Sequence, residues 1–136
     1  MKRDATAVWH GTVKEGEGNI TTQSKVLDTT QYSFGSRFEQ GIGTNPEELI
    51  AAAHSGCFTM QLSAYISEAG FEVESLETKC EIDFQDKSVV GSHLTVKGKV
   101  TGIDEAKFQE LVKKAETTCP ISRLLETKIS SSATLL

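Results

Sequence analysis

Three cysteines carry the most specific chemistry in this chain. Cys57, Cys80 and Cys119 are widely spaced and odd in number, unlike the paired cysteines of a secreted disulfide framework, so each thiol needs its own explanation. Cys80 falls in register with four other inward-facing residues of a predicted strand, which indicates a core thiol. Cys119 stands just before Pro120, where one predicted helix ends and the next begins, and a helix N-terminus favours a thiolate.

Cys57 lies on the predicted apolar face of a long helix and has two interpretations. One is an inert thiol in the core. The other pairs it with Cys119, 62 positions later, as a nucleophile and a resolving thiol that the fold brings together. A cysteine that attacks a peroxide must be a thiolate, and the reaction converts it to a sulfenic acid. The residues alone leave both interpretations open.

A reactive thiolate at this position requires a positive charge nearby. Lowering a thiol pKa from near 8.5 by about 2 to 3 units takes roughly 3 to 4 kcal/mol. A helix N-terminus typically contributes under about 1 kcal/mol, whereas a guanidinium at about 4 Å contributes roughly 4 kcal/mol at an effective dielectric near 20. Of the three arginines, Arg37 precedes the helix of Cys57 and is the expected source; a solvated surface arginine is the alternative.

His54 supports a competing interpretation. It precedes Cys57 by three residues, a helical spacing compatible with a zinc site or a Cys-His hydrolase. A zinc site needs two more ligands, and His10, His93 and Cys119 show no paired spacing. A hydrolase needs an orienting acid that the sequence does not indicate. We therefore expect a partly buried histidine that lines a cleft or an interface.

The elements before the long helix are two predicted strands and a loop. Strands are predicted at residues 7–13 and 20–26, around a turn at residues 14–19. Residues 34–45 contain three glycines and show neither helical nor strand periodicity. This segment is therefore expected to be a mobile surface loop that carries Arg37.

A long helix is predicted from residue 46 to about residue 69. Asn45 is its expected cap, Pro46 suits the first helical position, and Glu48 completes a capping-box pattern. Spacings of three to four residues predict one buried face, formed by Leu49, Ala53, Cys57, Met60 and Ala64.

The second half of the chain completes an α+β fold with an antiparallel sheet and a long central helix. Residues 76–84 alternate between inward and outward positions, and a partner strand contains Leu94, Val96 and Val100. Asp104 is the expected cap of a second helix, and residues 129–134 predict a closing strand. The buried positions expected in the second helix are Phe108, Leu111, Val112 and Ala115.

Composition predicts one domain over residues 1–136. A chain of this length buries roughly two-thirds of its unfolded surface, which suffices for a core. The net charge is −5 and lysines and arginines form no cluster, which argues against nucleic-acid and anionic-membrane partners. No stretch approaches the roughly 18 to 20 apolar residues that span a bilayer. The N-terminus lacks the apolar stretch of a signal peptide, so a cytoplasmic protein is expected.

The stretch that ends at Cys57 and Phe58 has the most specific pattern in the chain. It contains Arg37-Phe38-Glu39 and, from Thr44, the run Thr-Asn-Pro-Glu-Glu-Leu-Ile-Ala-Ala-Ala-His-Ser-Gly-Cys-Phe. This pattern resembles the OsmC family (osmotically inducible protein C) and its organic hydroperoxide resistance relatives, which are thiol peroxidases. The resemblance covers nearly the whole chain and is closer to the OsmC branch.

The resemblance implies a peroxidase site and a dimer. It makes Cys57 the peroxidatic cysteine, Cys119 the resolving cysteine, Arg37 the stabiliser of the thiolate and Glu47 the acid that orients Arg37. It implies an OsmC-like fold, an intertwined two-fold homodimer with sites at the subunit interface, and no metal, haem or flavin. The implied substrates are organic hydroperoxides and hydrogen peroxide, and the implied reductant is a small or protein-bound dithiol of the lipoyl type. Cys80 has no part in this mechanism.

One geometric condition tests the implied roles. Glu47 and Cys57 are ten residues apart, so a straight helix separates them by about 15 Å along its axis, too far for one arginine to touch both. Either the helix breaks at the weak helix formers Ser55-Gly56, or a second chain supplies one of the groups. The alternative functions are a non-catalytic dimeric binding protein and a Cys/His metal site. Candidates for an apolar substrate pocket are Phe34, Phe38, Phe58 and Met60.

Overall fold

The computed structural model describes all residues from 1 to 136, which divide into two compact units, Met1–Leu49 and Ile50–Leu136. No helix is both long and apolar enough to cross a membrane. The elements in chain order are β1 (Ala5–His10), β2 (Glu17–Thr22), β3 (Thr30–Tyr32), α1 (Phe34–Phe38), α2 (Pro46–Glu68), β4 (Glu72–Gln85), β5 (Ser88–Thr101), α3 (Glu105–Thr118), α4 (Pro120–Leu124) and β6 (Lys128–Leu135). The α+β class is confirmed.

The first unit contains a three-stranded antiparallel sheet in the order β1-β2-β3. Both predicted strands exist but lie a few residues nearer the N-terminus, because the chain turns at Gly11, whose φ of 90° ends β1. Pairing of β1 with β2 runs from Ala5 opposite Thr22 to His10 opposite Glu17.

The predicted mobile loop after this sheet is wrong in its first part. Residues Phe34–Phe38 form helix α1, which carries Arg37 in its last turn. A reciprocal capping box explains the helix: the Ser33 hydroxyl accepts from the Ser36 N–H, and the Ser36 hydroxyl accepts from the Ser33 N–H. The buried Ser36 hydroxyl also lies 2.8 Å from the Thr44 carbonyl oxygen, which fixes the segment after α1.

Helix α2 runs unbroken for 23 residues, which excludes a break at Ser55-Gly56, one of the two alternatives that the sequence left open. A single helical glycine costs about 1 kcal/mol, and burial of one helix face outweighs that cost. The Asn45 side chain caps α2 as predicted by accepting from the Glu48 N–H at 2.7 Å. The Glu48 carboxylate does not complete the predicted box, because it accepts from the Thr44 hydroxyl at 2.8 Å.

The buried face of α2 also differs from the prediction. Met60 is 77% exposed, and Ala53 and Ala64 are exposed as well. The buried residues follow an i, i+4 row one position away from the predicted one: His54, Phe58, Leu62 and Ile66. The prediction failed because α2 has apolar residues on several faces and the true row begins with a histidine.

The second unit contains a sheet in the order β4-β5-β6. Strands β4 and β5 form a long antiparallel hairpin whose turn places Asp86 and Lys87 at φ of 49° and 64°. Strand β6 pairs with β5 in parallel, so the prediction of an antiparallel sheet is wrong for this pair. Helices α3 and α4 form the crossover that a parallel connection requires.

The core of the second unit combines residues of α2, β5 and α3. As predicted, Asp104 caps α3 by accepting from the Lys107 N–H, and the predicted positions of α3 are buried. The largest buried apolar side chains are Phe58, Phe108, Leu62, Ile66 and Leu94.

Candidate functional site

Cys57 and Cys119 are neighbours in the second unit. The Cys57 thiol lies close enough to the Cys119 side chain and to the backbone N–H of Ile121 for both to act on its pKa. Cys119 is fully buried, whereas Cys57 is half-buried against the core. Cys119 is also the N-cap of α4, as predicted, with its sulfur 3.3 Å from the backbone nitrogen of Ser122. The structure therefore holds the two thiols together at one helix terminus.

The surroundings of Cys57 favour the protonated thiol. Burial raises the pKa of Cys57, the N–H of Ile121 lowers it by a smaller amount, and contact with Cys119 raises it further. One helix terminus does not offset these effects, in agreement with its ordinary contribution of under about 1 kcal/mol. A reactive thiolate at Cys57 thus requires an added positive charge.

Arg37 and Glu47 form a two-pronged ion pair in the first unit. The Arg37 Nη2 atom lies 2.7 Å from Glu47 Oε1, and its Nε lies 3.0 and 3.2 Å from the two carboxylate oxygens. Helix α1 supplies the arginine, and the first turn of α2 supplies the glutamate. The Glu47 side chain is only 16% exposed, so the pair is partly shielded and its orientation is well defined.

A pocket in the first unit lies beside this arginine. The Phe38 ring centroid lies 5.0 Å from Arg37 Cζ and 5.0 Å from the Phe34 ring centroid. Of the predicted pocket residues, Phe58 instead belongs to the core of the second unit, and Met60 is exposed on α2. The pocket is lined by Trp9, Val13, Tyr32, Ser33, Phe34, Arg37 and Phe38.

His54 is fully buried, so the prediction of a partly buried histidine is wrong. Its Nδ1 atom lies 2.6 Å from the Ser92 hydroxyl oxygen and its Nε2 atom 2.7 Å from that of Ser122. Both ring nitrogens are thus occupied by hydroxyls, and no group of three or more His, Cys, Asp or Glu side chains has the arrangement of a metal site. Burial lowers the pKa of His54 and favours the neutral ring.

Comparison with known proteins identifies the family. The family model described as OsmC-like protein matches residues 39–133. The chain belongs to the OsmC family. Its relatives include peroxiredoxin OsmC of Escherichia coli K12, 41% identical over 96% of this chain and 94% of the relative. Organic hydroperoxide resistance protein OhrB of Bacillus subtilis is 34% identical over 78% of this chain and 79% of its own.

Solved structures share the fold of this OsmC-family chain. An OsmC-like protein of unknown function from Vibrio cholerae has a TM-score of 0.74 at 15% identity, covering 98% of this chain and 99% of its own. The crystal structure of OhrB from Bacillus subtilis has a TM-score of 0.67 at 24% identity, covering 98% of both chains. At these identities the structures show the fold alone.

Two serines near the thiols of this OsmC-family chain were not predicted. The Ser122 hydroxyl oxygen lies 3.2 Å from the Cys119 sulfur, and that of Ser92 lies 3.3 Å from the Cys80 sulfur. Ser122 follows Pro120 by two positions and is therefore the N3 residue of α4, whose backbone N–H an N-cap residue contacts. This position was the one sequence signal that could have placed Ser122 beside Cys119. No periodicity distinguishes Ser92 from any other strand residue.

Proposed function

We propose that this chain is a thiol peroxidase that reduces organic hydroperoxides, and hydrogen peroxide as well. The observation that carries the proposal is the contact between Cys57 and the buried Cys119. The names of the relatives, peroxiredoxin and organic hydroperoxide resistance protein, support the same chemistry. The pocket beside Arg37 is lined mainly by aromatic and aliphatic side chains, which suit the apolar part of an organic hydroperoxide.

The proposed cycle uses the two thiols in turn. The Cys57 thiolate attacks the terminal oxygen of the hydroperoxide, the O–O bond breaks, and Cys57 becomes a sulfenic acid. The departing alkoxide takes up from solvent the proton that Cys57 released on ionising, and leaves as the alcohol. The Cys119 thiol then attacks the Cys57 sulfur, an S–S bond forms, and water leaves. A dithiol reductant, for which we propose the lipoyl class, opens this disulfide and is itself oxidised to a disulfide.

The charge that makes Cys57 a thiolate is proposed to come from the Arg37–Glu47 pair of a second chain. Unbroken α2 carries Glu47 and Cys57 about 15 Å apart along its axis, so an arginine held by Glu47 does not reach the Cys57 of the same helix. The remaining alternative from the sequence is a homodimer in which each site combines Cys57 of one chain with Arg37 of the other.

Turnover measurements test this function. With tert-butyl hydroperoxide and dihydrolipoamide, the wild type is expected to consume peroxide catalytically, and Cys57→Ser is expected to lose this activity. Cys80→Ser is the matched control, because Cys80 is also half-buried but lies outside the proposed cycle. It should retain the activity.

Two results would support the other functions instead. A folded wild type with no peroxide turnover favours a non-catalytic binding protein. Stoichiometric zinc, with loss of stability on chelation, favours a Cys/His metal site.

The cytoplasmic location and the single domain over residues 1–136 remain proposals.

A further inference from the structure

A continuous hydrogen-bonded chain of buried side chains leads from Cys119 to the centre of helix α2. The Cys119 sulfur lies 3.2 Å from the Ser122 hydroxyl oxygen, and that hydroxyl lies 2.7 Å from His54 Nε2. On the other side of the ring, the Ser92 hydroxyl lies 2.6 Å from Nδ1 and 3.3 Å from the Cys80 sulfur. Every buried polar side-chain atom has a partner, so the chain has no gap.

The chemistry of these groups gives the chain a direction. A neutral imidazole has one N–H donor and one lone pair, and each serine hydroxyl both donates and accepts. If Nδ1 donates to Ser92, Nε2 accepts from Ser122, and the Ser122 oxygen is then free to accept from the Cys119 thiol. The Cys119 sulfur meanwhile accepts from the Ser122 N–H, which stabilises negative charge on it. Both contacts favour departure of the Cys119 proton toward His54.

We propose that His54 is a positioning residue for the resolving step, in which it receives the Cys119 proton through the Ser122 hydroxyl. The inference rests on the proposed function, since the step follows formation of the Cys57 sulfenic acid. As the S–S bond forms, the S–O bond of Cys57 breaks. The Cys119 proton passes to Ser122 while the Ser122 proton passes to Nε2. The departing hydroxide takes a proton back from the imidazolium and leaves as water, so His54 is neutral again.

The surroundings of His54 suit a temporary base. Burial holds its pKa below the usual range, so the ring is neutral and able to accept. The titratable groups that face it are Cys80 from β4, 3.9 Å from Nδ1, and Cys119 through Ser122, with Cys57 three residues later on α2. Strand β5 contributes only the uncharged Ser92 to these contacts. No carboxylate contacts the ring to stabilise an imidazolium, which favours return of the proton.

Removal of single hydroxyls tests the proposal. Ser122→Ala breaks the chain between Cys119 and His54, Ser122→Thr keeps a hydroxyl there, and Cys80→Ser changes only the far end of the chain, beyond Ser92. After one equivalent of tert-butyl hydroperoxide, quenched samples are mapped for the Cys57–Cys119 disulfide and for Cys57 sulfenic acid trapped by dimedone, across pH values from about 5.5 to 8.5.

Ser122→Ala is expected to form sulfenic acid at the wild-type rate and the disulfide about 100-fold more slowly at neutral pH. Its disulfide rate should rise steeply with pH, because the thiol must then ionise unaided. Ser122→Thr should restore much of the rate, and Cys80→Ser, which leaves both serine contacts of His54 in place, should keep it. His54→Gln should reproduce the pH profile of Ser122→Ala.

Two further results separate failure of this inference from failure of the proposed function. Wild-type rates and pH profile in Ser122→Ala, or equal slowing by Cys80→Ser, overturn the role of His54 while the peroxidase function stands. Absence of both sulfenic acid and disulfide in the wild type contradicts the peroxidase function itself, and the inference with it.

Discussion

The Cys57 thiol lies beside Cys119, which acts on its pKa and caps helix α4 with its own sulfur. In the proposed function, this relationship pairs Cys57 as nucleophile with Cys119 as resolving thiol. It does not supply a thiolate, because burial raises the pKa of Cys57. The proposed function therefore depends on a cation brought to the pair.

Arg37→Ala is expected to raise the pKa of Cys57 by about 2 to 3 units and to slow peroxide consumption at neutral pH roughly 100-fold, in proportion to the thiolate fraction. Thiolate absorbance near 240 nm, followed during a pH titration, measures the change. Arg37→Lys keeps the charge but loses the two-pronged bond to Glu47, so an intermediate effect is expected. An unchanged Cys57 pKa in Arg37→Ala would show that Arg37 does not stabilise the Cys57 thiolate.

The origin of the arginine is tested by mixing two inactive variants. A dimer of one Arg37→Ala chain and one Cys57→Ser chain contains one complete site if the arginine acts across the interface. Random exchange of chains should then restore about a quarter of wild-type turnover. Each variant alone serves as the control. A mixture that exchanges chains yet stays inactive shows that both groups of a site come from one chain.

Stability should decrease in acid because of His54. Burial lowers its pKa from the ordinary 6.5, so between about pH 7 and pH 5 the unfolded chain binds a proton that the native chain does not. The free energy of unfolding therefore falls as the pH falls through this range, and it levels off only below the native pKa. In urea unfolding, the free energy of unfolding of the wild type should fall more steeply with decreasing pH than that of His54→Gln. Equal slopes would mean that His54 titrates normally in the native protein.

Substitution by alanine is expected to affect stability differently at two glycines, Gly98 and Gly56. A Cβ at Gly98 in β5 would lie 2.6 and 2.8 Å from ring atoms of Phe108, so Gly98→Ala should destabilise the protein by about 1 to 3 kcal/mol. A Cβ at Gly56 in α2 would have no atom within 4 Å other than those of its chain neighbours and its own helix backbone. Gly56→Ala should therefore not destabilise the fold, and it gains helix propensity. Urea unfolding at several protein concentrations compares the two. Equal losses would contradict the packing described for Phe108.

Much of the second unit was predictable because each of its signals is local. The alternation of residues 76–84 has one period and one buried face, and it matches β4. The cap at Asp104 and the apolar stripe of α3 agree with each other, and both are confirmed. Where local propensity, capping and periodicity indicate the same element, tertiary packing has no reason to override them.

The features that the sequence did not predict depend on contacts between distant parts of the chain. Helix α1 is too short to show periodicity, and its capping box uses Ser36, a residue outside the usual Glu/Gln pattern. The buried face of α2 is centred on His54, whose burial is possible only because Ser92 and Ser122 satisfy both ring nitrogens. The parallel pairing of β5 with β6 likewise has no local signal. Of the site, the positions of the two thiols were predictable, whereas the hydroxyl chain behind Cys119 was not.

The most direct test of the central claim is a thiol map after a single oxidation. One equivalent of tert-butyl hydroperoxide is added to the reduced protein, the remaining thiols are alkylated, and the peptides are identified by mass spectrometry. The account predicts a disulfide between Cys57 and Cys119 and a free, alkylated Cys80. Three alkylated thiols, or a disulfide that involves Cys80 instead, would contradict it.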